Sequence, residues 1–348
     1  MRINFLFTII MLLIGNCFLT FAQSKPQTSP TPATNPDDEV IKVETKMVSI
    51  PVTVFDRGGK FVSDLKKEDF QVLEDGVEQQ IELFQTVEQP FLVALVLDVS
   101  GSAQFKIGDI QTAANAFVNQ IRPQDRVMVV SFAEALQLLA EPTNDKKKLS
   151  DAIYRTQMLG GTSLYSAVDA TLKYLKNFKG RKAIVLFTDG VDTTSKKISK
   201  DDNLQLVKES DVLFYVVQYD TYVPPTESQM GEGERRYQTG SVENSGFAGG
   251  RKVDYERATI YLQNLADYSG GKIFQGRDLN NIIQSYSKII SELSNSYFLS
   301  YYPKEGAKKG QRKLKVKVNQ EKVAVRSKTS YVVKEEKPEE KKDEKKKP

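Results

Sequence analysis

Hydrophobic positions change their rhythm twice along this chain. From Val48 to Phe55 they alternate, with Val48, Ile50, Val52 and Val54 set against Ser49, Pro51, Thr53 and Phe55, up to the turn residues Asp56-Arg57-Gly58-Gly59. Alternation of this kind predicts a half-buried strand. A hairpin follows, with Phe70 to Leu73 and Val77 to Phe84 joined by Asp75-Gly76, a dipeptide suited to a tight two-residue turn. Strand-like runs return near the far end: Tyr297 to Tyr302, then Leu314, Val316 and Val318 between Lys313, Lys315 and Lys317, then Val323 to Val333. Neither set of strands buries much alone. Residues 39–90 and 297–333 are therefore expected to share one core, as an all-β, sandwich-like module interrupted by the stretch between them. The alternating lysines read as the wet face of a strand, with an anionic-surface patch as the other reading.

Residues 91–296 switch to strands alternating with helices. Phe91 to Leu97 is a nearly unbroken apolar run, the pattern of a strand covered on both faces. Ile107, Ile110, Ala114, Phe117 and Ile121 then recur at helical spacing. Further strands are expected at Val127 to Val130, Leu136 to Leu139, Ala183 to Phe187, Val212 to Val217 and Lys272 to Phe274. Further helices are expected near Lys146 to Tyr154, Ser163 to Phe178, Leu204 to Ser210, Arg257 to Tyr268 and Leu279 to Leu293. The fold class this predicts is α/β, a doubly wound and mostly parallel sheet with helices on both faces. Residues 220–254 are far longer than the usual connection and carry Pro224-Pro225 with many Gly and Ser. They read as a tolerated surface insertion. Because they leave the carboxyl end of a strand, they also read as a segment whose Arg235, Arg236, Tyr237 and Phe247 flank a ligand site.

Composition narrows the functional classes. Met1 to Ala22 has Arg2 as its only charge, an apolar stretch, and Thr20-Phe21-Ala22 as small-residue cleavage context, which reads as an export signal. Residues 23–38, rich in Pro, Ser and Thr, read as a spacer, and the Lys- and Glu-rich 334–348 as a solvated tail. The expected location is the periplasm, the cell envelope or the medium, with no membrane span once the signal is removed. Cys17 is the single cysteine and the chain has no histidine, so imidazole-activated nucleophiles and His-ligated metals are ruled out. A net charge of +4 on 348 residues gives no footprint of nucleic-acid binding.

In doubly wound sheets, ligands bind beyond the carboxyl ends of the strands. Three segments fall there: Asp98-Val99-Ser100-Gly101-Ser102, Gly160-Gly161-Thr162 and Thr188-Asp189-Gly190. Each alone also reads as a helix cap or a turn. Within them Asp98, Ser100, Ser102, Thr162 and Asp189 supply two carboxylates and three hydroxyls, an all-oxygen set that suits Mg2+ or Mn2+, admits Ca2+, and offers nothing to a soft metal. Asp192 follows closely, as an acidic loop residue or a ligand of a second ion.

The set Asp98, Ser100, Ser102, Thr162 and Asp189 resembles the complete metal-ion-dependent adhesion site of von Willebrand factor A domains, also found in integrin inserted domains. The resemblance covers about 90–296. The flanks, Lys67-Glu68-Asp69-Phe70 through Glu74-Asp75-Gly76 and Phe298 to Tyr302, are similar to those of an exported, acidobacterial-type group within that family. The resemblance implies that Ser100 and Ser102 bind the metal through their hydroxyls, Thr162 in the ligand-bound state, and Asp98 and Asp189 directly or through water. It also implies a function: cation-dependent binding of a protein partner that offers a carboxylate, with no catalysis. Two alternatives stand beside it, a structural envelope protein with an idle site and a metal-assisted hydrolase, the latter lacking any visible general base. The partner's identity and the oligomeric state are not legible in the sequence.

Overall fold

The computed structural model describes residues 47–86, 88–101, 107–219, 221, 251–304 and 310–333. The expected export signal, spacer and tail, Ser102, and 222–250 of the long connection lie outside the described residues. All that is described falls within one unit, Thr45–Pro348.

The middle of the chain forms a six-stranded sheet ordered β10-β9-β8-β5-β6-β7. Its strands are β5 (Phe91–Asp98), β6 (Arg126–Phe132), β7 (Leu136–Thr143), β8 (Arg181–Thr188), β9 (Val212–Gln218) and β10 (Lys272–Gln275). Only β7 runs antiparallel, against β6, and the other pairings are parallel. Strands β5, β8 and β9 are buried along their whole length, because helices cover both faces. On one side α1 (Ile107–Gln120), α2 (Lys146–Tyr154) and α6 (Leu279–Ser294) close over Val93, Leu95, Val185 and Tyr215. On the other, α3 (Leu164–Leu175), α4 (Lys200–Glu209) and α5 (Lys252–Ser269) close over Leu92, Val96, Leu186 and Phe214. Successive strand residues point to opposite faces, so two cores on two faces require the continuous apolar runs seen in the sequence. The architecture is the doubly wound, mostly parallel α/β sheet expected. Among the described residues, no helix is long and apolar enough to cross a membrane.

The flanking segments form two further sheets, each built from both ends of the chain. One is ordered β13-β1-β11-β4 and the other β14-β12-β2-β3. The N-terminal flank gives β1 (Val48–Asp56), β2 (Phe70–Glu74), β3 (Val77–Gln79) and β4 (Leu83–Gln85). The C-terminal flank gives β11 (Ser296–Tyr301), β12 (Gly310–Val318), β13 (Val323–Ser327) and β14 (Ser330–Val333). Ile50, Val52, Val72, Leu299, Leu314 and Val316 pack into a single core between the sheets. The expected run Val77 to Phe84 is in fact two strands in different sheets, broken at Gln80 to Glu82, where the chain crosses over while Ile81 stays buried. Pro51 is tolerated in β1 because β13 pairs only from Val52 onward, leaving β11 alone beside it.

Strand β11 joins the two halves. Its Tyr297, Leu299 and Tyr301 lie in the sandwich core, while Phe298 faces the α/β core. Where the chain enters and leaves the α/β domain, the buried Arg181 of β8 binds four carbonyls: Thr86 at 3.1 Å, Gln89 at 2.7 Å, Leu293 at 2.8 Å and Ser296 at 2.6 Å. Its guanidinium lies over the Phe91 ring, 3.9 Å from the centroid, and burial lowers its pKa to about 9.

Candidate metal centre

Strands β5 and β8 are neighbours, paired to Leu97 and Phe187, so Asp98 and Thr188 emerge side by side at their carboxyl ends. The Thr188 hydroxyl donates to Asp98 Oδ2 at 2.7 Å, and the Ser100 amide donates to Asp98 Oδ1 at 3.0 Å. The next residue, Asp189, accepts the Val191 amide on Oδ1 at 2.9 Å and the Thr221 hydroxyl on Oδ2 at 2.7 Å. Gly190 makes this turn with φ +88°, and a Cβ there would meet Leu262 Cδ1 at 2.6 Å. Only glycine fits both the conformation and the approach of α5.

The other two loops are fastened to the same end of the sheet. The Val99 amide donates to Phe132 O at 2.9 Å, and Ser100 forms a parallel bridge with Leu159, whose amide donates to Val99 O at 2.9 Å. The carbonyl of Thr162 accepts the Thr193 and Thr194 amides at 2.8 and 3.1 Å, and its own amide donates to Thr193 Oγ1 at 2.9 Å. Ser163 occupies the N-cap position of α3 without capping it, because its hydroxyl pairs with Thr194 at 2.7 Å. The cap comes instead from Asp192, whose Oδ2 accepts the Tyr165 amide and whose Oδ1 accepts the Ser195 amide. Asp192 thus has a structural task that accounts for it.

The structure therefore brings Asp98, Ser100, Thr162 and Asp189 to one end of the sheet. They are far more buried than a rim site would be, at 0 %, 1 %, 4 % and 2 % exposed. Sequence reasoning missed Thr188, Thr221 and Tyr219. The Thr188 and Thr221 hydroxyls hold the two carboxylates, and Tyr219 packs on Phe187 with its amide on Thr188 O. Only Thr188 adjoins a predicted ligand in sequence, so spacing carries no signal for the others.

Burial is the main force acting on Asp98, and the Asp189 carboxylate the second. Together they push its pKa up to about 7, against hydrogen bonds from Ser100 and Thr188 that pull it down. Burial and then the same two carboxylates raise the Tyr219 hydroxyl well above its ordinary value. The donors described on Asp98 are neutral. Two buried carboxyl groups at adjoining strand ends, with hydroxyl oxygens around them, make an all-oxygen donor set whose chemistry fits a hard cation. Among the described residues, no three or more His, Cys, Asp and Glu gather as a metal site, so any ion here depends on hydroxyl oxygens as well.

No curated protein matches the chain. Among solved structures, it resembles the von Willebrand factor domain of a type V pilus tip protein from Porphyromonas gingivalis, at 12% identity and TM-score 0.43, over 58% of this chain and 94% of that one. It also resembles a conserved hypothetical protein, BatB, from Bacteroides thetaiotaomicron, at 14% identity and TM-score 0.41, over 59% and 98%. A von Willebrand factor type A protein from Catenulispora acidiphila matches at 10% identity and TM-score 0.44, over 84% and 75%. In sequence, residues 93–191 match the family model of the von Willebrand factor type A domain, a span that runs from β5 through Asp189-Gly190 and takes in Asp98, Ser100, Ser102, Thr162 and Asp189.

Proposed function

We propose that this chain is a divalent-cation-dependent protein-binding module of adhesion type, carried by an exported envelope protein. The observation that supports it most is the pairing of Asp98 and Asp189 in one buried pocket at the carboxyl ends of adjacent parallel strands. Asp98, Ser100, Ser102, Thr162 and Asp189 would hold the ion, Mg2+ or Mn2+ by the hardness of the donors. A bound divalent cation supplies an acceptor for one more oxygen, which a carboxylate of a partner protein fills. The chain's own residues fix where this happens. Gly190 and the 160–163 turn hold the loops, and the threonine hydroxyls keep both acids in place. Lys196 and Lys197 follow the Thr193-Thr194 loop that binds Thr162 and, with Lys200 and Asp202, line a shallow cavity of about 440 Å3. The role is binding rather than catalysis, since a chain without histidine has no imidazole base to place beside the ion.

Two measurements test this. Calorimetric titration with Mg2+ should give one binding event that Asp189→Ala abolishes. Capture of a partner from envelope extract should be lost in chelator and lost with Asp189→Ala. Equal capture in chelator and in Mg2+ would sink the reading.

A further inference from the structure

Asp98 and Asp189 are supported in the same manner. Each takes an amide from two residues ahead on Oδ1 and a threonine hydroxyl on Oδ2. For Asp98 that hydroxyl comes from the neighbouring strand. For Asp189 it comes from Thr221, beyond both α4 and β9 in the chain, where the stretch 222–250 begins. Thr221 is 6 % exposed, and its Oγ1 lies 2.7 Å from Asp189 Oδ2 and 3.0 Å from the hydroxyl of Tyr255. Tyr255 stands in the first turn of α5, just after that stretch ends. A threonine hydroxyl has one proton to give. That proton goes either to the carboxylate or to the Tyr255 hydroxyl, and only in the first case does Tyr255 act as donor to Thr221.

We propose that Tyr255 and Thr221 form a hydroxyl relay that positions Asp189 for the cation, with Tyr255 donating to Thr221 and Thr221 donating to Asp189. This rests on the cation reading of the site. A carboxylate has roughly four acceptor positions. Val191 and Thr221 take one on each oxygen and so fix the rotation of the group. Thr221 and Tyr255 are positioning residues, acting on the ion only through Asp189, and outer partners of this kind typically change metal affinity by about 10–100-fold.

The test is calorimetric titration of the full chain with Mg2+ alone, for wild type, Asp189→Ala, Thr221→Val, Thr221→Ser, Tyr255→Phe and the Thr221→Val/Tyr255→Phe pair, with circular dichroism to check folding. Thr221→Val should weaken Mg2+ by about 10-fold or more, and Thr221→Ser, which keeps the hydroxyl, should restore nearly all of it. Tyr255→Phe should weaken Mg2+ less, and should add nothing once Thr221 is Val, because a relay's links are coupled. Wild-type affinity in Thr221→Val, no rescue by Ser, or additive losses in the pair would each overturn the relay. Should Thr221→Val not fold, a wild-type affinity in Tyr255→Phe, whose side chain is partly exposed, has the same force. If wild type itself takes up no Mg2+, or Asp189→Ala binds as well as wild type, the cation reading is what has failed.

Discussion

Burying Asp98 beside Asp189 has an energetic consequence that needs no partner to measure. A carboxyl raised to about 7 is favoured by the fold in its neutral form, so its stabilising contribution is complete below the ordinary value of 3.8 and is lost as pH rises through 7. At pH 8 the metal-free protein therefore carries an unfavourable charge, which a neutral amide removes. Asp98→Asn should raise the melting temperature in chelator at pH 8 by a few degrees and cancel the increase that Mg2+ gives to wild type. A lower midpoint than wild type in chelator would contradict this account. That Asp98, Ser100 and Asp189 lie at the carboxyl ends of neighbouring strands was legible in the sequence, because each follows a nearly unbroken apolar run. Their depth was not. Thr221 reaches Asp189 from beyond β9, and a hydroxyl residue 32 positions away carries no local pattern.

Among elements, α4 has its carboxyl end held by a distant side chain. Lys328, between β13 and β14 and 2 % exposed, donates to Ser210 O at 2.7 Å and Val207 O at 3.4 Å, which places its ammonium at the helix's carboxyl end. Burial lowers its pKa to about 8, against the opposing pull of Asp211 and Glu209. A depressed lysine stabilises the fold fully above its ordinary 10.5 and loses that contribution as pH falls through 8. The stability of wild type relative to Lys328→Met should therefore rise from pH 8 to 10.5, by up to about 1.4 kcal/mol per pH unit. A flat difference in denaturant unfolding across that window would refute it. Buried tyrosines titrate in both proteins and cancel. The strands and helices were mostly readable, since both periodicities were clean. The exceptions have physical causes. Strands β3 and β4 read as one because the crossover at Gln80 to Glu82 keeps Ile81 buried and the apolar pattern intact. Helix α5 begins at Lys252, ahead of the expected Arg257, because its first turn holds no buried residue and shows no apolar stripe.

For the whole molecule, cooperation between the sandwich and the α/β domain depends on Arg181. Replacing it with Met takes a donor from the buried contacts at Leu293 O and Ser296 O and from the part-buried ones at Thr86 O and Gln89 O, and removes a cation packed on Phe91. The expected cost is about 3 kcal/mol or more. Scanning calorimetry should resolve two transitions in Arg181→Met where wild type shows one, and a single transition with an unchanged midpoint would show that the junction is held by other contacts. That both flanks share one module was legible from alternation in segments too short to bury a core alone. The lock itself was hidden, since Arg181 reads as an ordinary charge at the start of an apolar run.

The same guanidinium measures a distance. By touching Thr86 and Gln89 on one side and Leu293 and Ser296 on the other, it shows that the chain leaves the sandwich and returns to it within the reach of a single side chain. The sandwich is thus a socket and the α/β domain a plug. A tight loop could bridge Gln85 to Ser296 and close the host sheet, and a domain of different specificity with equally close ends could take the vacated place without disturbing a strand of its holder.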